Sequence, residues 1–340
     1  MLDRAGLEGR EALLATLRME ACREDGATVG RSVTAALDGG LIEADAPSEL
    51  ARALVAVAEA DLSLARLLEG HVNALELIAR LGGAADPTQL HGVWGADGPV
   101  PVTCDGGRLD GGKRYASGLG TVARAVVTVG QGPASRLAVV DVADPARHRP
   151  AAWDMLGMRA TASGEIDLTG LVPGWLGSPG DYFTEPHFLG GVWRIAACQL
   201  GGTLGLLGAA RDALAARGRL MAEAQLARLG PLIGRAMAAF GLVERAAETA
   251  SGPEGATDPD RAVALSIQAR LLTEELAQDA IAAVERSVGL AHFETASETG
   301  RIARDLATYC RQAARDAFEQ KAAAIALGRA APLSTLWAPA

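Results

Sequence analysis

Aromatic residues are scarce in this sequence. Its 340 residues include five Trp, five Phe and three Tyr, whereas alanine occurs 70 times. Alanine is the strongest helix former, and β-sheets are enriched in aromatic and β-branched side chains, so the composition disfavours a β-sandwich or β-barrel for the chain as a whole. The length predicts two or three domains rather than one. We therefore expect a mostly helical protein of several domains.

Positive charge is also in short supply. Lys and Arg together number 32 against 41 Asp and Glu, which gives a net charge of −9, and only Lys113 and Lys321 are lysines. The sequence contains no long basic run of the kind that binds a phosphate backbone. We therefore expect no nucleic acid among the partners.

Closely spaced cysteines and long apolar runs are missing as well. The four cysteines are far apart and are expected to be free and buried: Cys22, Cys104, Cys198 and Cys310. No basic segment followed by an apolar one comes after Met1, and the most apolar stretch, residues 188–210, is interrupted by Arg194. No metal-ligand spacing such as His-x-x-x-His occurs. These features predict a cytoplasmic protein with no membrane span and no metal site.

The spacing of apolar residues changes along the chain. Leucines recur every three or four residues before residue 80, which predicts helices. In the middle, β-branched runs at 125–129, 137–140 and 166–168 alternate with glycine-rich turns and predict strands. Helical spacing returns after Thr184, a residue type that favours a helix N-cap, and continues to about residue 327 with one predicted loop at 251–255.

This order predicts an α+β protein of three domains. Residues 1–91 form the N-terminal helical domain, residues 92–176 a central domain built as a small β-barrel or sheet, and residues 177–340 a C-terminal antiparallel four-helix bundle.

Two segments of the central region resemble sequences of the acyl-CoA dehydrogenase superfamily. Residues 112–118, Gly-Lys-Arg-Tyr-Ala-Ser-Gly, are similar to the family's G-x-K-x-[WFY]-x-[TS]-x-G strand, and residues 153–163 are similar to its W-x-x-x-G-M-R-A-T-x-S segment. In the bundle, residues 201–205 and the pair Arg304-Asp305, at the start of the expected last helix, stand where the family has similar residues. The resemblance implies a homodimer or homotetramer assembled through the bundle.

The resemblance also implies that FAD binds between the central domain and the bundle. Tyr115 would lie against the isoalloxazine ring, and the Ser117 hydroxyl would reach the flavin N5 atom. Val102 and Thr103 would present backbone and hydroxyl groups to the pyrimidine edge. These four residues are the predicted cofactor-binding site.

The implied activity is that of a FAD-dependent oxidoreductase acting on the CH–CH group of an acyl thioester or a similar small molecule. This reaction requires a carboxylate that removes the α-proton. The family's two positions for that base correspond here to Ala313 and to residues 193–196, and neither contains an acid. The loop that lines the thioester in the family is also shortened, after Thr103, by more than ten residues. The catalytic base therefore stays unassigned.

The missing carboxylate leaves two alternatives open. The first is a flavin-dependent monooxygenase of the same fold, in which histidines commonly line the pocket. His71 is one candidate, and His187 and His292 are further ones. Arg194, placed one helical repeat after His187, offers a cation for a carboxylate or phosphate, or else pairs with an acid across two helices. The second alternative is a homologue that has lost catalysis and serves as a binding or scaffold subunit.

Overall fold

The computed structural model of the protein describes residues 4–21 and 25–338, so that Cys22 lies outside the described part. Helices occupy both ends of this part and strands occupy its middle. The helices are α1 (Arg4–Glu20), α2 (Gly26–Asp38), α3 (Pro47–Ala60), α4 (Leu62–Arg80), α5 (Trp193–Ala215), α6 (Glu223–Ser251), α7 (Pro253–Thr257), α8 (Pro259–Val288), α9 (Glu298–Tyr309) and α10 (Arg315–Gly328). The strands are β1 (His91–Trp94), β2 (Thr103–Asp105), β3 (Arg108–Asp110), β4 (Gly112–Ala116), β5 (Arg124–Val129), β6 (Arg136–Asp141), β7 (His148–Arg149), β8 (Gly164–Asp167) and β9 (Gly174–Leu176).

The strands form three small sheets. In the largest, of order β1-β5-β6-β9, β1 runs parallel to β5 and the other neighbours are antiparallel. The strands β4, β8 and β7 form a second sheet, and β2 and β3 form a hairpin. The three β-branched runs noted in the sequence lie in or overlap β5, β6 and β8, whose apolar residues are mostly buried.

The last helix of the N-terminal region, α4, is fixed at its start by Asp61. The Asp61 Oδ1 atom accepts hydrogen bonds from the backbone N–H groups of Ser63 (2.8 Å) and Leu64 (3.2 Å), which the helix itself leaves unpaired. The helix then packs against β1 and α5. This position places one face of α4 between the sheets and the bundle.

The C-terminal helices α5, α6 and α8 pack against one another, and α9 and α10 pack against members of this group. Helix α5 also lies unusually close to α3. A Cβ atom on Gly201 would stand 2.3 Å from the Val55 carbonyl oxygen, and one on Gly205 would stand 2.7 Å from that of Glu59. The glycines of this segment therefore allow two backbones to approach within a distance that alanine would prevent.

Some details of the predicted helical region were wrong. The first bundle helix begins at Trp193 and not near Thr184, because Pro186 lies in a turn and the glycines at 190 and 191 lie in a short 3₁₀ helix. His187 therefore precedes the helix that carries Arg194. The predicted loop at 251–255 contains the start of α7, and Arg304-Asp305 lies in α9, which α10 follows.

Three cysteines fall within the described residues, and all are free. Cys198 and Cys310 are buried, as expected, whereas Cys104 is exposed. The expectation of a buried Cys104 was wrong because all three residues of β2 face solvent in the β2–β3 hairpin.

One helix in the described part, α6, is long and apolar enough to cross a membrane when length and composition alone are considered. Core helices of water-soluble proteins meet the same criterion, so this is weak support for a membrane span. Only 22% of the most apolar window of α6 is buried within the chain.

Candidate functional site

The strand that carries Tyr115 contains a β-bulge. Lys113 and Ala116 both pair with β8, and the register shifts between them, where Tyr115 adopts a φ of 55°. A bulge breaks the alternation of side chains along a strand and redirects them. As a result Lys113 points into the protein, where its Nζ atom donates to Thr128 Oγ1 at 2.7 Å, whereas Tyr115 is 50% exposed.

A chain of three hydroxyl groups ends at Ser117. Thr161 donates to the Met158 carbonyl oxygen at 2.6 Å, the Thr161 and Ser163 hydroxyls are 2.8 Å apart, and Ser163 donates to Ser117 Oγ at 3.1 Å. With Ser163 as the donor, the Ser117 proton is available to an acceptor outside this chain. The two motifs of the central region therefore meet at one hydroxyl group.

The same two motifs bring aromatic rings together. Tyr115 and Trp153 make an edge-to-face contact with ring centroids 6.2 Å apart, and the Arg114 guanidinium lies 5.1 Å from the centre of the Tyr115 ring. An exposed aromatic ring such as that of Tyr115 can accept a further flat ring by stacking. We call Tyr115, Trp153 and Ser117 the aromatic surface.

The other two predicted cofactor contacts differ in exposure. Val102 is fully buried, and its carbonyl oxygen accepts a hydrogen bond from the Gly130 N–H at 2.8 Å. Thr103 is exposed at the start of β2. The hairpin beyond it closes through Gly106 and Gly107, both with positive φ, so the shortened loop forms a tight turn.

A cavity of about 410 Å³, which we call the α4–α8 cavity, contains the other candidate residues. Its walls come from α4, α5, α8, the start of α10 and the segment before α5. The residues that line it include Glu69, Asn73, Tyr182, His187, Phe188, Arg194, Ile195, Arg270, Ala313 and Phe318. Both sequence positions at which the resemblance predicts a catalytic carboxylate therefore lie in one cavity, one represented by Ala313 and the other by Arg194 and Ile195.

Each of the two base positions has an arginine at it or beside it. The Arg270 guanidinium donates to the Ala313 carbonyl oxygen at 3.4 Å, and Arg194 belongs to the other base position. Both are almost fully buried, with exposed fractions of 1% and 3%. Burial lowers the pKa of Arg194 to about 10 and also lowers that of Arg270. Both groups remain charged at neutral pH.

Glu76 was not predicted from the sequence, yet it joins two of the candidates. Its carboxylate is paired with Arg194 and lies 3.9 Å from His187 Nδ1. The pairing of Arg194 with an acid across two helices, one of the two expectations for this residue, is what the structure contains. Burial and then the charge of Arg80 lower the pKa of His187, which favours a neutral ring at neutral pH.

Glu69 is the buried carboxylate of the cavity, and through Arg66 it is also connected to the aromatic surface. It is 7% exposed and accepts a hydrogen bond from Arg66 Nη1 at 2.9 Å. Arg66 in turn lines a small cleft together with Ser117. The spacing of Glu69, Asn73 and Glu76 along α4 is the signal from which this polar face could have been predicted.

His71 is not among the residues that line the α4–α8 cavity. It is 1% exposed, its Nδ1 atom accepts a hydrogen bond from the His91 backbone N–H at 3.1 Å, and its ring lies 5.7 Å from that of His91. The structure thus brings His187 and Arg194 together and holds His71 at the connection between α4 and β1.

Within residues 4–21 and 25–338, no group of three or more His, Cys, Asp and Glu side chains is arranged to hold a metal ion.

Comparisons with known proteins agree on the fold. No protein-family model and no curated relative matches the chain. Among solved structures, dibenzothiophene monooxygenase TdsC from Paenibacillus sp. A11-2 is 19% identical, with 99% of this chain and 100% of that chain covered and a TM-score of 0.79. TdsC is also known in complexes with FMN and with FMN and indole.

Two further structures extend the range of activities with this fold. KijD3, solved with dTDP, is 21% identical over 96% of this chain and 97% of its own, with a TM-score of 0.77. Butyryl-CoA dehydrogenase from Megasphaera elsdenii is 15% identical over 97% of this chain and 99% of its own, with a TM-score of 0.76. These matches confirm the predicted α+β fold class.

Proposed function

Because the chain has the fold of the acyl-CoA dehydrogenase superfamily, we propose that it is a flavin-dependent oxidoreductase that acts on a small molecule. The aromatic surface fits the isoalloxazine half of a flavin. Tyr115 offers a ring face, and the proton of the Ser117 hydroxyl is available to an acceptor nitrogen. The same chemistry serves FMN and FAD.

The contacts for the adenosine half of FAD are fewer. The resemblance to the acyl-CoA dehydrogenase superfamily implies an arginine segment that reaches the FAD of a neighbouring subunit, and this sequence lacks that segment between Arg219 and Gln225. Arg217 and Arg219 could take its place, but Arg217 donates to the Val288 carbonyl oxygen at 3.1 Å. We therefore expect FMN to bind at least as tightly as FAD.

The reaction that we propose is hydroxylation with molecular oxygen. A bound reduced flavin supplies two electrons, so that one atom of O₂ enters a C–H bond of the substrate and the other leaves as water. The α4–α8 cavity would hold the substrate, and its apolar residues Phe188, Ile195 and Phe318 would exclude water. The observation that supports this proposal is that both positions expected to carry a dehydrogenase base lie in this cavity without a carboxylate.

A second candidate is dehydrogenation of a thioester, which Glu69 favours. This buried carboxylate lines the same cavity and is connected through Arg66 to the cleft beside Ser117. It would take the α-proton while the hydride from the β-carbon passes to the flavin. Glu69→Gln would abolish such an activity while leaving flavin binding in place.

Flavin titration is the first test. We expect the protein to bind FMN or FAD and to show the absorption of oxidised flavin, and we expect Tyr115→Ala and Ser117→Ala each to weaken binding about tenfold or more. Trp175→Ala is the matched control, because Trp175 is another exposed ring beneath an arginine, with Arg136 4.9 Å from its centre. A protein that stays colourless with both flavins would instead support the non-catalytic alternative.

Two assays on the flavin-loaded protein separate the enzyme hypotheses. Indole, which is named in one of the TdsC complexes, is incubated with reduced flavin and O₂, and hydroxylation is followed as a mass increase of one oxygen. Butyryl-CoA is added anaerobically in the second assay. Bleaching of the flavin by butyryl-CoA, lost in Glu69→Gln, would establish dehydrogenation and refute the hydroxylase proposal.

We also propose that the protein assembles with itself through α6. The exposed side chains of this helix include Leu226, Ile233 and Met237, at spacings of seven and four residues. The side chains of Arg228 and Arg235 contact α8 instead. Arg228 donates a hydrogen bond to Ser287, and Arg235 pairs with Asp279 at 2.5 Å. From Leu226 to Met237 this face is apolar, and an apolar face is complementary to the same face of a second copy under two-fold symmetry.

A further inference from the structure

Two arginines line the α4–α8 cavity, but they differ in how well they are paired. Arg194 has a carboxylate partner in Glu76 and donates a further hydrogen bond to the Gly191 carbonyl oxygen at 3.2 Å. Arg270 has a single hydrogen bond among the described residues, the long one of 3.4 Å to the Ala313 carbonyl oxygen. A guanidinium group has five N–H donors, so most of those on Arg270 are unused.

The nearest carboxylate to Arg270 does not satisfy it. Glu274 Oε2 lies 3.8 Å from Arg270 Nη2, beyond hydrogen-bonding distance, and both Arg270 Nε and Glu274 Oε2 are buried with no hydrogen-bond partner among the described residues. Glu274 is also shared with Arg315, whose Nε atom is 3.4 Å from Oε1. A buried cation with unused donors is costly unless an anion completes its contacts.

The remaining carboxylate of the cavity wall is already engaged. Glu69 is held by Arg66 at 2.9 Å. The base position at Ala313 therefore has no negative charge of its own, and the Arg270 guanidinium contacts its carbonyl oxygen. A cation at this place stabilises an anion, and it would weaken a carboxylate as a base because the carboxylate loses its charge when it takes a proton.

We infer that the α4–α8 cavity binds a small carboxylate-bearing substrate, with the carboxylate on Arg270 and the apolar body against Phe188, Ile195 and Phe318. A guanidinium fork matches a carboxylate in two parallel hydrogen bonds. The Arg270 guanidinium lies over the ring of Phe318, with 4.6 Å between the carbon of the guanidinium and the ring centre, and this cation–π contact helps to hold the guanidinium at the cavity wall. The inference rests on the proposed function only in taking this cavity as the substrate site.

The test measures binding, not turnover, and uses benzoate as the probe. Isothermal titration of the full-length protein, with and without flavin, compares benzoate with benzamide, which has the same shape and no charge. We expect benzoate to bind at least about tenfold more tightly than benzamide. Equal affinities, or no binding of benzoate, would overturn the inference, and this comparison needs no variant.

Variants locate the binding group. We expect Arg270→Met, which keeps most of the side-chain volume, to lower benzoate affinity about tenfold or more and to leave benzamide affinity unchanged. Arg261→Met is the control, because Arg261 lies on the same helix, is 4% exposed and does not line the cavity. An equal loss in both variants, or none in Arg270→Met, would contradict the assignment.

Two further outcomes are distinguished. Displacement of benzoate by inorganic phosphate at equal concentration would overturn the choice of a carboxylate over other anions. A protein that binds benzoate through Arg270 but fails to bind flavin would refute the proposed function and leave this inference standing, because the titration without flavin measures the contact with Arg270 alone.

Discussion

The environment of His71 favours its neutral ring. The side chain is 1% exposed, and Nδ1 accepts a hydrogen bond, which requires that this nitrogen carry no proton. Burial, and then the neighbouring His91, lower the pKa of His71 to about 4 from its ordinary value of 6.5. The lowered pKa of His71 therefore makes the free energy of unfolding depend on pH, even though this residue does not line the cavity.

We predict that His71 makes the folded protein sensitive to acid. The unfolded chain takes up a proton at this residue near pH 6.5, whereas the folded chain does so only near pH 4. Stability is therefore lost as pH falls through this window, by about 3 kcal/mol in total. Urea unfolding of the wild type and of His71→Gln, measured from pH 8 to 4.5, tests this prediction.

The comparison separates packing from titration. At pH 8 the difference in unfolding free energy between the two proteins reports the lost contacts of His71. As pH falls to 4.5 that difference should shrink, because only the wild type retains the histidine. If the unfolding free energies of the two proteins differ by the same amount at every pH, protonation of His71 is not the cause of the acid sensitivity.

The residues of the site differ in how far the sequence could predict them. Tyr115 and Ser117 were found because a local pattern surrounds them, although their role in binding flavin stays a prediction. Glu76 and Arg270 lie on helices nearly 200 residues apart, and no local pattern marks either one. Their part in the cavity depends on how α4 and α8 are packed, which spacing along the chain does not encode.

At the scale of elements, periodic segments were predicted well and irregular ones poorly. The strands β5, β6 and β8 follow directly from their β-branched residues, and α3 and α4 from leucines at helical spacing. The start of the bundle was misplaced because residues 184–192 have helical composition, while their glycines and Pro186 allow only short turns.

The contact between α3 and α5 depends on the absence of side chains. We predict that Gly205→Ala lowers the free energy of unfolding by about 1 to 3 kcal/mol, because its new methyl group would stand 2.7 Å from the Glu59 carbonyl oxygen and force the helices apart. Thermal and urea unfolding measure this effect.

Gly208→Ala on the same helix is the matched control. A methyl group there would meet no atom within 4 Å, and alanine favours the helix over glycine by up to about 1 kcal/mol. We therefore expect the two substitutions to change stability in opposite directions. A similar effect of both would show that close packing against α3 is not what requires glycine at position 205.

At the scale of the whole molecule, the exposed apolar face of α6 indicates a surface that a binding partner covers. Patches of this kind on soluble proteins usually mark contacts with other molecules. Arg235, Glu244 and Arg245 of the helix are paired with acids or bases of neighbouring elements, and the face between Leu226 and Met237 presents no exposed charged side chain. A second copy of the chain presents the same apolar residues and satisfies both faces at once.

We predict that the wild type is a dimer or tetramer and that Met237→Glu shifts it towards the monomer, because a carboxylate buried between two α6 helices would lack a partner. Light scattering coupled to size-exclusion chromatography measures the mass. Met221→Glu is the control, since Met221 and Met237 are almost equally exposed, at 74% and 73%, and Met221 precedes the helix. If the wild type is a monomer and floats with phospholipid vesicles, the α6 face binds a membrane surface instead. If the mass of Met237→Glu equals that of an oligomeric wild type, α6 does not form the interface.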